Sequence, residues 1–580
     1  MIICRPFHGG YVGIFQLTIV LVGTCMLLAV VRHSDHYLIR SQPPSIYEYT
    51  DGKTRGARQN ETTITPPPPS DETTYLRYLT REYGLSNEIP WFARRIQPRF
   101  DSRGRKSMTE ISKVPFMPRG FERIRTDDKQ LDLRAESPPV RLSVTQSAKP
   151  DAVNASALLF GISTSYDRLT YGNASLMADW ARWLTDGEGK SNGASLVLTL
   201  HRASGAEIET IGNKLREAGI DAVVLPANST HDSAARYLDL AGLLARRKDE
   251  LLGEGHPIKF LALVDDDVFF PSLGKLLARL DRFDARKKAY VGLPSERADW
   301  TVENNVTLTY GGGAVLLTPP MADAVSRLPC VNETARGVSS AEGTGTGTGT
   351  GQWDERLYSC IAEHTDEKLH ILPSLYTPGD DLYGLPRTGY EGGVQPLALH
   401  HYRHRRRFDP SRAHLVASLC GEDCFLQRFF FRGDAWILVN GYSVSQYPDG
   451  VDVLPAAKSM TLQKQDGSAT TTTTTGNAKN GGMAGRVSDR LSFDKQDDDA
   501  QKRVNARRVV SWAGAKRTWR LLDSRRGAGG EVWQAYVKRR GSSSSSVPYG
   551  DEDDWVPEDT VHTQDGPSDV DSVIVLIWEP

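Results

Sequence analysis

Three consecutive carboxylates, Asp265, Asp266 and Asp267, close a nearly unbroken apolar run, Ile258-Lys259-Phe260-Leu261-Ala262-Leu263-Val264. A run of this kind between polar residues reads as a strand buried on both faces. Adjacent carboxylates at its end repel unless positive charge sits among them. Side chains alternate along a strand, so Asp265 and Asp267 share one face and Asp266 takes the other. Two carboxylates on one face suit a hard divalent cation of the Mg²⁺ or Mn²⁺ type, whose other positions go to water and phosphate oxygens. The simpler alternative is an acidic surface turn, which leaves the buried run unexplained.

Further along the chain stand three more groups able to do chemistry. Gly311, Gly312 and Gly313 precede the apolar Ala314–Leu317, where missing side chains let backbone approach a ligand. Asp354 and Glu355 open a helical stretch, as an N-terminal cap or as a general base. His400 and His401 end the run Leu397-Ala398-Leu399, as buried, satisfied imidazoles or as metal ligands. The basic run Arg403–Arg407 behind them is solvated surface or a phosphate-facing rim.

The elements needed to position these groups are legible around them. Leu158–Thr164, Ser195–Leu200 and Ala222–Leu225 read as strands, separated by helices over Ser175–Leu184, Ala206–Ala218 and Ala234–Lys248. This rhythm specifies a parallel sheet covered on both faces, and an open α/β sheet binds ligands beyond the carboxyl ends of its strands. A helix over Ser272–Asp284 and a strand over Ala289–Leu293 follow. Beyond Phe425 the pattern turns to short strands, at Phe429–Phe431, Ala435–Val439, Tyr442–Val444, Lys516–Leu522, Glu531–Lys538 and Val573–Trp578.

The 580 residues include 70 basic and 72 acidic side chains, a balance that gives no sign of a nucleic-acid partner. Residues 10–31 form a charge-free apolar span behind a short tail, 1–9. No small-residue cleavage site follows, so the segment reads as a transmembrane signal anchor. Residues 32–150, with four successive prolines at 66–69, read as a largely disordered stalk. Six Asn-x-Ser/Thr sequons, at Asn60, Asn154, Asn173, Asn228, Asn305 and Asn332, all follow the span and favour a lumenal body. In an oxidising compartment Cys330 would pair with Cys360 and Cys420 with Cys424, one of three possible connectivities. Residues 343–351 are a Gly-Thr insertion, and 466–500 a disordered insertion in the β-rich region 426–580.

Taken in order, Val264–Phe270, Tyr310–Ala314, Asp354–Tyr358 and Leu399–His401 resemble the fringe-like branch of glycosyltransferase family 31, fungal members included. The segment Trp436–Ser443 adds to the likeness, which covers roughly Ala157–Tyr447. The chain departs from that pattern in its Gly-Thr insertion and in an Asp-Glu pair where two aspartates are common.

The resemblance implies an α/β fold of the GT-A type. A Rossmann-like, mostly parallel catalytic domain would occupy 151–425, with a small β-rich C-terminal appendage. It implies a type II protein of the Golgi membrane that moves a hexosyl or N-acetylhexosaminyl group, with inversion, from a UDP-sugar to a glycan or glycoprotein hydroxyl. Mn²⁺ or Mg²⁺ would be the cofactor. Asp265, Asp266 and Asp267 would form the metal and nucleotide motif, with His400 or His401 completing the metal ligands. Asp354 or Glu355 would be the base. Gly161, Ser163, Thr164 and Arg168 would hold the nucleotide, and Gly312 and Gly313 would border the donor. The competing reading is a catalytically inactive relative that binds glycans or scaffolds Golgi enzymes.

Overall fold

The computed structural model describes residues 69–172, 175–228, 230–292, 314–331, 353–372, 395–400, 409–455, 491–492, 508–512, 514–540 and 570–580. One sheet has eight strands. Their spatial order is Leu491–Ser492, Leu369–Ile371, Tyr290–Gly292, Val315–Leu317, Phe260–Leu263, Leu158–Ser165, Ser195–His201 and Asp221–Pro226. The last four are mutually parallel, as helical crossovers require; Val315–Leu317 runs antiparallel to both neighbours. The sheet is therefore mixed α/β and mostly parallel.

Its central strands are apolar on both faces because both are covered. Leu158, Phe160 and Ile162 enter one core with Phe260 and Ala262. Leu159, Leu261 and Leu263 enter a second, under the long helix Ser233–Gly253. Gly161 allows that helix to approach. A Cβ there would lie 2.8 Å from Leu244 Cδ1 and 3.1 Å from Leu240 Cγ, inside van der Waals contact. Helix spans follow the sequence closely: Ser175–Leu184, Gly205–Glu217 with a Ser204/Glu207 capping box, and Leu273–Leu280 capped by Ser272.

Over residues 69–150 the second sheet corrects the expectation of a disordered stalk, and it corrects that of a separate C-terminal appendage; 32–68 lie outside the described residues. Ten strands drawn from both ends of the chain form this sheet. Glu88–Asp101 pairs in parallel with Ser572–Trp578 and with Glu136–Thr145, and Thr109–Ile111 pairs with Arg428–Phe431. Every residue of Ser572–Trp578 is buried, so this strand needs a neighbour on each side, and the segment read as stalk supplies one. The arginines and prolines of Glu88–Asp101 disguise it as linker. Ahead of it, helix Asp71–Tyr83 is capped by Ser70 and ends at Gly84, whose φ of 59° suits glycine. The helix docks through Tyr75, whose hydroxyl donates to Asp523 Oδ2 at 2.8 Å.

Cys330 is bonded to Cys360 and Cys420 to Cys424. The tail 1–9, the span 10–31, Gly311–Gly313, the Gly-Thr insertion, His401 and Arg403–Arg407 lie outside the described residues. Among the described residues no helix is long and apolar enough to cross a membrane. Within 466–500, Leu491–Ser492 pairs with Leu369–His370, so at least these two residues are strand rather than loop.

Candidate functional site

The aspartate strand ends at Leu263, and Val264–Asp267 leaves the sheet at its carboxyl edge. Tyr237, on the long helix, donates its hydroxyl to the Val264 carbonyl at 2.9 Å and fixes where the strand ends. Trp180 donates its indole N–H to the Asp266 carbonyl at 2.9 Å. Two buried aromatic side chains on different helices thus pin the backbone on either side of Asp265.

The carboxylates diverge although they lie beyond the strand, with Asp266 and Asp267 in a turn, where strand alternation no longer sets side-chain direction. Asp265 Oδ2 and Asp267 Oδ1 each lie 3.2 Å from His400 Nε2. Asp266 takes the other direction: Thr164 donates its hydroxyl to Oδ2, and Arg168 Nη2 lies 2.7 Å from Oδ1 and 3.8 Å from Asp267 Oδ2. Burial pushes the Asp266 carboxyl above the usual carboxylate range, against the opposing pull of Arg168 and Thr164. Burial works against charge on Arg168 as well, but Asp266 and Asp267 outweigh it and hold that guanidinium above its ordinary value.

His400 arrives from a distant stretch of chain. Leu399 and Phe269 exchange two backbone hydrogen bonds, at 2.7 and 2.8 Å, which set the imidazole beside the carboxylates. The ring is 2% exposed. Helix Trp353–His364 closes another side. Trp353 donates its indole N–H to Asp265 Oδ1 at 2.7 Å, and its ring stacks on Tyr237 with centroids 4.4 Å apart. Asp354 is buried in the first turn of that helix, its Oδ1 accepting the Glu355 amide at 2.9 Å, while Glu355 is half-buried.

The structure therefore brings Asp265, Asp266, Asp267, His400, Thr164 and Arg168 together, with Asp354 and Glu355 on the adjoining helix. Gly161 lies on the same strand, and its small size is accounted for by the helix packed on it. Ser163 is half-buried there, and its hydroxyl has no hydrogen bond among the described residues. Trp353, Tyr237 and Trp180 are contributions that the sequence reading misses. Trp353 adjoins the acidic pair, but its indole looks like any core aromatic until its partner is placed.

Among the described residues no three His, Cys, Asp or Glu side chains already enclose a common point as metal ligands. What the site offers is carboxylate oxygen and imidazole nitrogen facing one another at 3.2 Å. Neighbouring ligand atoms around an octahedral cation with bonds of about 2.1 Å lie roughly 3 Å apart, so the donor types and their spacing suit such an ion.

No protein-family profile matches the chain, and no curated protein matches it in sequence. Solved structures similar to it include the glycosyltransferase GlyE of Streptococcus pneumoniae TIGR4, at 14% identity and TM-score 0.27, covering 42% of this chain and 54% of that one. Mouse xyloside xylosyltransferase 1 is similar at 15% identity and TM-score 0.24, over 42% of this chain and 96% of that one. The galactosyltransferase LgtC, in complex with donor and acceptor sugar analogs, is similar at 11% identity and TM-score 0.24, over 42% and 86%. The chain thus spans about half the length of the GlyE chain. These are distant likenesses, and the functional reading rests on the site.

Proposed function

We propose that the protein is a divalent-metal-dependent glycosyltransferase of the fringe-like type, moving a hexosyl or N-acetylhexosaminyl group from a UDP-sugar to a glycan or glycoprotein hydroxyl. The observation that carries this reading is the placement of His400 Nε2 at 3.2 Å from both Asp265 and Asp267. These residues, far apart in sequence, converge where an open α/β sheet binds ligands.

Asp265, Asp267 and His400 would hold Mn²⁺ or Mg²⁺, which when bound supplies positive charge against the leaving diphosphate. Arg168 stands beside the same carboxylates, with its side chain 42% exposed, and can extend toward phosphate oxygens. Thr164 and Trp180 keep Asp266 turned away, so it does not compete for the metal face. In the transfer, the acceptor oxygen bonds to the anomeric carbon as the carbon–oxygen bond to the diphosphate breaks. The electron pair of that bond leaves on the nucleotide, and the hydroxyl proton passes to a carboxylate. Asp354 or Glu355, both in the first turn of helix Trp353–His364, would take it. Attack opposite the leaving group inverts the anomeric centre. Transmembrane anchoring through 10–31 and a Golgi lumenal body complete the proposal.

The test is turnover of UDP-Gal, UDP-Glc, UDP-GlcNAc and UDP-GalNAc with Mn²⁺ and glycan acceptors, with and without chelator. One donor is expected to be consumed only with metal. Asp354→Asn and Glu355→Gln should separate: the variant lacking the base loses about a hundredfold or more in kcat, the other far less. Mn²⁺ binding with no turnover of any donor would favour the inactive relative instead.

A further inference from the structure

The loop between Cys420 and Cys424 holds two buried carboxylates, Glu422 at 7% and Asp423 at 8% exposure, that the proposed reaction does not use. Each reaches toward a chain segment that delivers site residues. Ser272 donates its hydroxyl to Glu422 Oε2 and at the same time caps helix Leu273–Leu280, which begins six residues after Asp267. Lys275, in that helix, forms an ion pair with Asp423 Oδ1. Gln395, five residues before His400, donates its side-chain amide to the same Asp423 oxygen at 2.8 Å. One carboxylate thus ties the segment following the aspartates to the segment preceding the imidazole.

The loop is itself anchored on its far side. The Glu422 amide donates to the Ala148 carbonyl, and the Asp423 amide to Ser147 Oγ, both at 2.9 Å. Asn440 donates to the Cys424 carbonyl at 2.9 Å. Gly421 has φ 88°, and a side chain there would run into Ser147. A third tie comes from the preceding helical segment. His414 Nε2 lies 2.8 Å from the Pro271 carbonyl, and Arg182 Nε lies 3.1 Å from Nδ1. Arg182 can only donate, so Nδ1 accepts and Nε2–H donates to Pro271, as a neutral ring.

We infer that the Cys420–Cys424 loop is a positioning device: Glu422 and Asp423 hold the Asp265–Asp267 segment and the His400 segment in register. The inference rests on the proposed metal site, and its test is built so that the two can fail separately. The Phe269 and Leu399 amides, which pair the two segments, are read by hydrogen exchange in the full chain. Mn²⁺ affinity is read by quenching of tryptophan fluorescence. In Asp423→Ala and in Cys420→Ser/Cys424→Ser, both amides should exchange at least tenfold faster, and the Kd for Mn²⁺ should rise about tenfold or more, the range found for outer-shell changes. Asp423→Asn, which can still accept from Gln395, should fall between wild type and Asp423→Ala. Cys330→Ser/Cys360→Ser should leave both amides protected. Unchanged exchange at Phe269 and Leu399 in folded Asp423→Ala overturns the inference, whatever the metal does. If wild type binds no Mn²⁺, the metal reading fails, and the exchange data alone decide the clamp.

Discussion

Two groups of buried acids make an instructive contrast. Asp523, in the ten-stranded sheet, is 2% exposed and sits among donors. Tyr75 and Tyr83 donate to it at 2.8 and 2.9 Å, Arg412 at 2.9 Å and Arg525 at 3.1 Å. This cluster closes on itself: one negative charge meets two guanidinium groups and two hydroxyls, and it joins the N-terminal helix to the C-terminal sheet. At the other site, three successive aspartates share Arg168 and an imidazole. Carboxylate is in excess there, and the geometry keeps two of the three turned toward one point. An acid surrounded by its own donors is a structural fastener. Acids crowded beyond their local cations are left with negative charge to spare, which is what the proposed metal reading needs.

The sharpest way to break this contrast is to exchange the losses. Asp267→Ala should lower metal-dependent turnover by about a thousandfold or more, the equivalent of several kcal/mol of charge stabilisation, and leave the melting temperature unchanged or higher because repulsion is relieved. Asp523→Ala should do the reverse, costing about 3–5 kcal/mol in denaturant unfolding through the stranded Arg525, with Mn²⁺ affinity unaffected. If both variants lose stability equally and bind metal equally, the two clusters are of one kind.

A smaller effect is expected at Trp353. Trp353→Phe keeps the stack on Tyr237 but removes the donor to Asp265. The Kd for Mn²⁺ should rise about tenfold, with little change in stability. Isothermal titration checks this, and a wild-type Kd would reduce the indole to a packing role.

The remaining effect lies at Glu422, where burial lifts the carboxyl from its ordinary 4.5 to about 7 against the pull of Ser272, Lys275 and Arg182. A raised value means that the fold prefers the protonated form. The stabilising contribution is therefore complete below about 4.5 and is lost as pH rises through about 7. Glu422→Gln should remove this slope, which amounts to at most about 1.4 kcal/mol per pH unit, in urea melts between those limits. Parallel pH profiles for variant and wild type would show that Glu422 is ionised throughout.

What the sequence determined by itself is local. The apolar run ending at Val264 and the helix spans over Ser175–Leu184 and Gly205–Glu217 follow from periodicity and capping. These are set by neighbours within a few residues. The pairing of Cys330 with Cys360 and of Cys420 with Cys424 also matches the one, of three connectivities, chosen from the sequence. Tertiary structure alone decided three other matters. It turned a stretch rich in arginine and proline into the strand Glu88–Asp101, because Ser572–Trp578 is buried on both faces and has backbone groups to satisfy. It made Trp353 and Tyr237 part of the site, since an indole or phenol acquires a role only when a partner from another element arrives. It also set His400 against Asp267 through the Leu399–Phe269 pairing. Contacts across such separations depend on which surfaces the whole chain buries together, and no local pattern carries that information.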